Sequence, residues 1–251
     1  MRNKKRTTVK SEKIVSTVFY VTLLVVASAF LTTQASANPS GIEVVENFTD
    51  FLTVSPPDNR TDPGGTITTL VMDVLQQNPR WKAYVGNLTG ALTLDDSDGQ
   101  SIFRWEMAAQ DLTGNLFISR SNAIDWDQIG CSNQSLIYEE EDYLLFNSSS
   151  ADSINRTFNT TTHAEILIGF NTIAEDTCRS TSTYVSNNPQ SQASADFQLV
   201  LLASENNIIY SSPITSGTTS YRADKDVDFQ AIVPDQDSPD TTTYFFYAEI
   251  R

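Results

Sequence analysis

Four kinds of residue in this chain have the type and spacing to be modified, to bind metal or to catalyse a reaction. They are asparagine, cysteine, histidine and clustered aspartate. The N-glycosylation pattern Asn-X-Ser/Thr occurs seven times in the 251 residues, about twice what chance gives. The acceptors are Asn47, Asn59, Asn87, Asn133, Asn147, Asn155 and Asn159. Because glycans need exposed attachment points, we expect these side chains on loops or outer strand faces. The alternative is a set of loops that are simply rich in Asn and Thr.

The two cysteines, Cys131 and Cys178, predict one disulfide if the chain is exported. It would close a loop of 47 residues and stabilise the fold by about 4 kcal/mol. A free thiol pair is the alternative. Two cysteines and a single histidine are too few for a closed zinc site.

His163 is the only histidine, so a Ser-His-Asp hydrolase would need it as the base. The chain has no G-x-S-x-G turn to carry a nucleophilic serine. We therefore predict that the protein is not an enzyme and that His163 lies at a strand edge.

Two acidic clusters have the composition of calcium loops: Asp95, Asp96 and Asp98, and then Asp235, Asp237 and Asp240. The first cluster has Leu94 where an EF-hand needs an oxygen ligand, and it lacks the downstream glutamate. Aspartate is also frequent in ordinary turns. We expect no cofactor, with Ca²⁺ at either loop as the alternative.

The first 37 residues have the layout of a secretory signal peptide. A basic start precedes an apolar run from Ile14 to Leu31, and Ala35-Ser36-Ala37 is an A-x-A cleavage site. An uncleaved signal anchor is the alternative, and it would be the only contact with the membrane. We therefore expect a secreted or cell-surface location.

Residues 38–251 are strongly acidic. Six of the 16 Lys and Arg, but only one of the 31 Asp and Glu, lie in 1–37, which leaves 10 basic and 30 acidic residues and a net charge of −20. Such a surface repels nucleic acid and anionic lipid. Nucleic acid is therefore excluded as the expected partner.

The elements that position these residues are predicted to be strands. Trp81 to Asp96 alternates with a period of two, and after Asp96-Ser97-Asp98-Gly99 the run Phe103 to Met107 alternates again. Two such runs around an Asp-Gly turn predict a β-hairpin. We take this hairpin as the centre of the fold, with Trp105 in the core.

Further short strands are predicted at 66–75, 115–120, 164–170, 197–202, 208–210, 227–233 and 243–250, the last of them central and covered on both faces. The pattern predicts an all-β antiparallel β-sandwich with a short helical insertion, preceded by an N-terminal signal helix. A barrel is the alternative. The expected division is 1–37 signal, 38–65 arm or edge strand, and 66–251 a single domain.

Leu136 to Phe146 is the best helical candidate, and its acidic cluster Glu139 to Asp142 is expected to face water. Upstream, Ile42, Val44, Val45 and Phe48 belong to a β-branched run that is separated from the other predicted strands. This run could pair with another chain as an assembly strand. An ordinary edge strand or a flexible arm is the alternative.

Several phrases resemble a group of exported cell-surface proteins of archaea that have no established activity. They are W-K-A-Y-V-G-N-L-T-G-A-L-T-L-D-D with F-R-W-E, I-D-W-D-Q-I-G-C, S-A-D-S-I-N-R-T-F-N and T-T-T-Y-F-F-Y-A-E-I, and together they span most of 66–251. The resemblance implies an envelope location and favours N-glycosylation.

These features together predict a secreted, N-glycosylated structural or adhesive protein, for example a filament or surface-layer subunit. Its partners would be copies of itself or other envelope proteins. The first alternative is an extracellular glycan- or ligand-binding module that uses Trp81, Trp105 and Trp126 as aromatic faces. A secreted hydrolase is the second.

Overall fold

The computed structural model describes residues 38–50, 57, 59–72, 75–107, 112–236 and 241–251, and the predicted signal segment lies outside them. The strands are Ser40–Gly41 (β1), Trp81–Gly86 (β2), Ala91–Asp95 (β3), Ser101–Glu106 (β4), Thr113–Ser119 (β5), Ile129–Cys131 (β6), Ile166–Ile168 (β7), Asn171–Ile173 (β8), Ser180–Ser182 (β9), Gln198–Ser204 (β10), Asn207–Thr215 (β11), Thr218–Thr219 (β12), Asp226–Val227 (β13), Phe229–Pro234 (β14) and Phe245–Ile250 (β15). The α-helices are Gln134–Tyr143 (α1) and Ile154–Thr157 (α2), and 3-10 turns occur at Trp126–Gln128 and Gln192–Ser194.

The most apolar runs form the middle of a seven-stranded antiparallel sheet. Its strand order is β1-β15-β5-β11-β10-β6, and β9 also pairs with β10. β10 is buried along its whole length, and β5 and β11 along most of theirs. Pro213 is tolerated in β11 because β10 pairs only as far as Ser211, so Pro213 faces a strand only on the β5 side.

Side chains on the two faces of this sheet enter two separate cores. On one face, β2, β14, α1 and α2 cover residues such as Leu116, Leu201 and Tyr210. On the other face, β7, β8 and Trp126 cover Phe117 and its neighbours. The architecture is therefore the predicted antiparallel β-sandwich, with sheet layers that are short and partly replaced by helix.

The predicted disulfide is present and closes the helical insertion. Cys131 ends β6, Cys178 precedes β9, and their Cα atoms lie 4.9 Å apart. The insertion between them contains α1, α2 and the hairpin β7–β8. Asn133 caps α1 by accepting the amide of Leu136 at 3.0 Å, and Ser153 caps α2 in the same way.

Several predicted elements differ from the structure. Residues 66–72 and 75 form no strand and are exposed, while 73–74 lie outside the described residues. The run Trp81 to Asp96 is divided into β2 and β3 by residues 87–90. β15 is half-buried and next to the edge of the sheet rather than central, because only the two residues of β1 pair with its outer side.

Candidate assembly surface

The N-terminal arm, defined here as residues 42–48, leaves the sheet directly after β1. The amide of Ile42 donates to the carbonyl of Phe246 at 3.3 Å, and the following residues form no strand within the described part of the chain. Val44 is exposed, Val45 is 88% exposed and Phe48 is 92% exposed. The strand predicted at 42–48 is therefore not formed: β1 ends just before it, Ile42 is half-buried against the core of its own chain, and Val44, Val45 and Phe48 face solvent.

A second exposed apolar segment follows at 66–72. Ile67, Val71 and Met72 are almost entirely in water. β-branched residues of this kind are typical of strands, but a strand needs a neighbour to accept its backbone hydrogen bonds. In the single chain, neither the arm nor the 66–72 segment forms a strand among the described residues.

The hairpin β3–β4 is formed as predicted, but it projects from the sandwich instead of lying at its centre. Leu92 pairs with Trp105, and Leu94 pairs with Phe103, so these four side chains share one face. All four are exposed, and Trp105 is 49% exposed, which corrects its predicted place in the core. We call this surface the hairpin face.

The opposite face of the hairpin is polar. Thr93 pairs with Arg104, and the Arg104 guanidinium lies 2.8 Å from the Glu106 carboxylate. Every residue of β4 is exposed. An isolated two-stranded hairpin is marginally stable in water, so an apolar face of this kind is usually covered.

Two residues at the root of the hairpin determine where it points. Buried Asp228 accepts the amide of Leu88 at 2.7 Å and the amide of Gly217 at 3.0 Å. Gly90 packs against the side chain of Ile250, which a Cβ atom at this position would hit. Sequence reasoning missed both positioning residues because their partners lie well over one hundred residues away.

The acidic clusters make local hydrogen bonds in the structure. The Asp96 carboxylate accepts the amides of Asp98 and Gln100 at 2.9 Å each, and Asp95 accepts the hydroxyls of Thr93 and Ser101. Asp235 forms an ion pair with Lys82 at 2.8 Å, while Asp237 and Asp240 lie outside the described residues. Among the described residues, no group of three or more His, Cys, Asp or Glu has the arrangement of a metal site.

Six of the seven glycosylation acceptors are exposed, and Asn155 differs from them. It is half-buried, and its carboxamide oxygen accepts from Gln134 at 3.1 Å and from Arg179 at 3.2 Å. Asn133 and Asn147 also use their oxygens locally, as a helix cap and in a turn. Because Asn155 is half-buried among its contacts with Gln134 and Arg179, a glycan on its Nδ2 atom would have little room.

His163 organises the loop that carries Cys178. The ring is 5% exposed, and Nε2 accepts the amides of Thr177 at 3.1 Å and Cys178 at 2.9 Å. Because Nε2 accepts, the proton is on Nδ1, which donates to the carbonyl of Ala164 at 2.7 Å. Both ring nitrogens therefore bind backbone groups, which gives His163 a structural role beside the disulfide.

The acidic cluster of α1 was predicted to face water, but two of its residues are buried. Glu140 makes a two-point ion pair with Arg120, at 2.8 and 2.5 Å. Glu141 is 1% exposed and accepts the amide of Asn155 at 2.7 Å, which anchors α2. Burial raises the pKa of Tyr210 well above its ordinary value, and the nearby charge of Glu140 raises it further.

The three tryptophans lie in separate places. Trp81 donates to the carbonyl of Asp152 at 2.7 Å and packs beside Phe146, whereas Trp126 packs against Phe117 on the opposite face of the sheet. Only Trp105 is exposed, beside Phe103 with ring centroids 4.8 Å apart. They do not form the shared aromatic platform that a glycan-binding site would need.

A cleft of about 640 Å³ lies beside His163, over one end of β10 and β11. Val200, Ser211 and Pro213 contribute to its floor. Four acidic residues line it and no Lys or Arg does: Glu165, Glu175, Asp176 and Asp196. Its polarity would suit a small organic cation.

No helix in the described ranges has the length and hydropathy of a membrane span. No protein-family model matches the chain, and searches of curated proteins and of solved structures find nothing similar to it.

Proposed function

We propose that this protein is a secreted, N-glycosylated structural or adhesive protein of the archaeal cell surface, and that it assembles with copies of itself. The mechanism is β-augmentation, in which the arm of one copy adds as a strand to a neighbour. The observation that carries the proposal is the exposure of Val44, Val45 and Phe48 on an extended segment that is tied to its own sheet only at its base.

Exposed apolar residues in this number favour assembly with other chains over a monomeric state in water. Monomeric soluble proteins rarely leave large continuous apolar patches uncovered. Here the arm, the 66–72 segment and the hairpin face all expose such residues.

The test compares assembly of the intact chain with that of an arm variant. We expect Val44→Ser/Val45→Ser/Phe48→Ser to remain folded by circular dichroism, because these side chains contact water. We also expect it to lose the filaments or lattices that electron microscopy and sedimentation detect for the unmodified protein. Glu43→Gln/Glu46→Gln is the control in the same segment, and it should keep or strengthen assembly because it removes negative charge but no apolar side chain. Monomers from the unmodified protein, or unchanged assembly of the arm variant, would refute the proposal.

Glycosylation is tested by mass spectrometry of protein isolated from its own cells. We expect glycans on the exposed acceptors, such as Asn87, and none on Asn155, which is half-buried among its contacts with Gln134 and Arg179. A chain without glycans at any acceptor would remove this part of the proposal and leave assembly untouched.

The cleft beside His163 supports the alternative function, an extracellular ligand-binding module. Its acidic lining favours a small amine, so calorimetry with 1,4-diaminobutane, and with neutral 1,4-butanediol as control, tests it. Selective binding of the diamine that is lost in Glu165→Gln/Glu175→Gln would support this alternative, and equal responses to both compounds would reject it.

A further inference from the structure

We propose that the hairpin face of one copy is the surface that receives the N-terminal arm of the next. The inference rests on the proposed function and adds the acceptor to it. It places Val44 and Phe48 of one chain along the outer edge of β4 of another, beside Phe103 and Trp105 and on the same face as Leu92 and Leu94.

The hairpin has the backbone groups that a third strand needs. β3 and β4 pair with each other and, among the described strands, with no other. Each therefore presents an outer edge along which a strand of another chain could form hydrogen bonds. A third strand would also convert a marginal two-stranded ribbon into a small sheet with an apolar face.

The arm has a matching length and side-chain pattern. It contains seven residues, and β3 and β4 contain five and six. In an extended strand, Val44 and Phe48 lie on one face with Glu46 between them, while Glu43, Val45 and Asn47 lie on the other. The first face would extend the hairpin face, and a glycan on Asn47 would point away from it.

Charge argues against a lipid surface as the partner of the hairpin face. The hairpin tip carries Asp95, Asp96 and Asp98, which an anionic membrane would repel. The arm also carries Glu43 and Glu46, so pairing depends on apolar contact and backbone hydrogen bonds against a like-charge repulsion. We therefore expect assembly to strengthen as salt screens these exposed charges.

Cysteine cross-linking between different molecules tests the pairing. A chain with Val44→Cys is mixed with a mass-tagged chain that carries Phe103→Cys, and the mixture is oxidised mildly. We expect heterodimers from this pair and several-fold fewer from Val44→Cys with Thr93→Cys, because Thr93 lies on the polar face of the same hairpin. Equal yields from both pairs would overturn the inference, as would exclusively intramolecular bridges in a Val44→Cys/Phe103→Cys double variant.

A second measurement separates this inference from the proposed function. Phe103→Ser/Trp105→Ser should raise the concentration needed for assembly about tenfold or more, since two large apolar anchors are lost. Thr93→Ser/Glu106→Gln on the polar face is the control. If the arm variant abolishes assembly and the Phe103/Trp105 variant does not, the arm docks elsewhere and only the inference fails. If neither variant affects assembly, the proposed function fails as well.

Discussion

The sandwich and the hairpin β3–β4 differ in how many of their faces the chain covers. In both, apolar residues align across paired strands, but β5 carries Leu116, Phe117 and Ile118 in succession, whereas apolar and polar side chains alternate in β4. Phe117 on β5 is fully buried between two other layers, whereas Phe103 on β4 is more than half exposed. Alternation therefore indicates which face of a strand is apolar and needs to be buried. Whether residues of the same chain bury that face depends on the tertiary arrangement.

The first prediction tests this contrast at two phenylalanines. Phe117→Ala should lower the free energy of unfolding by about 3–5 kcal/mol, because it leaves a cavity under β7 and Trp126. Phe103→Ala should lower it by less than about 1 kcal/mol. Urea unfolding of the monomeric protein measures both, and similar losses would mean that the hairpin belongs to the cooperative core.

The second prediction concerns the disulfide, which stabilises the sandwich alone. Cys131→Ser/Cys178→Ser should lower the free energy of unfolding by about 4 kcal/mol on the chain-entropy model for this loop. Reduction of the unmodified protein should have the same effect. Assembly through the arm should persist wherever the variant remains folded, since neither cysteine is near it in the chain. A stability unaffected by reduction would contradict the prediction.

The third prediction separates packing from hydrogen bonding at His163. His163→Phe should cost about 2–3 kcal/mol, because the buried amide of Cys178 and the partly buried amide of Thr177 lose their acceptor. His163→Gln keeps an acceptor and should cost less. The order of the two variants in urea unfolding is the result that matters, and a reversed order would mean that ring packing dominates.

The fourth prediction is an alkaline loss of stability that originates in the sandwich. Burial raises the pKa of Tyr210 and Tyr244 above the ordinary value of 10.0, so the folded chain holds these protons more tightly than the unfolded chain. Stability is therefore complete below pH 10 and falls as the pH rises above it, by up to about 1.4 kcal/mol per tyrosine per pH unit. Tyr210→Phe should make the fall shallower, and Tyr138→Phe on the exposed side of α1 is the matched control. Equal effects of the two substitutions would contradict this origin.

Much of the fold follows from the sequence because its strongest signals are local. The apolar runs around Leu116, Leu201 and Ile209 predict strands, the Asp-Gly turn predicts the hairpin, and the helix over 134–143 is found within about three residues of its expected ends. The disulfide is predictable because two cysteines in an oxidising compartment need only lie close together to form one.

The errors come from partners that are distant in the chain. Glu140 is buried because it pairs with Arg120, and Glu141 because it accepts the amide of Asn155. No local sequence pattern predicts either contact. Alternation places Trp105 on the apolar face of its hairpin, but the chain leaves that face exposed instead of burying it in the core. The arm and the 66–72 segment have strand composition, but the single chain provides no described neighbour for them.

The position of the disulfide also determines how the protein would respond to proteolysis. Cys131 and Cys178 join the regions of β6 and β9, two short strands that both pair with β10. A single cut anywhere between them would leave both fragments covalently attached, each still paired with the same strand. On a gel, a chain nicked in this insertion should therefore run as one band without reductant and as two with it. If the protein lies at the cell surface as proposed, such a nick would not release a fragment.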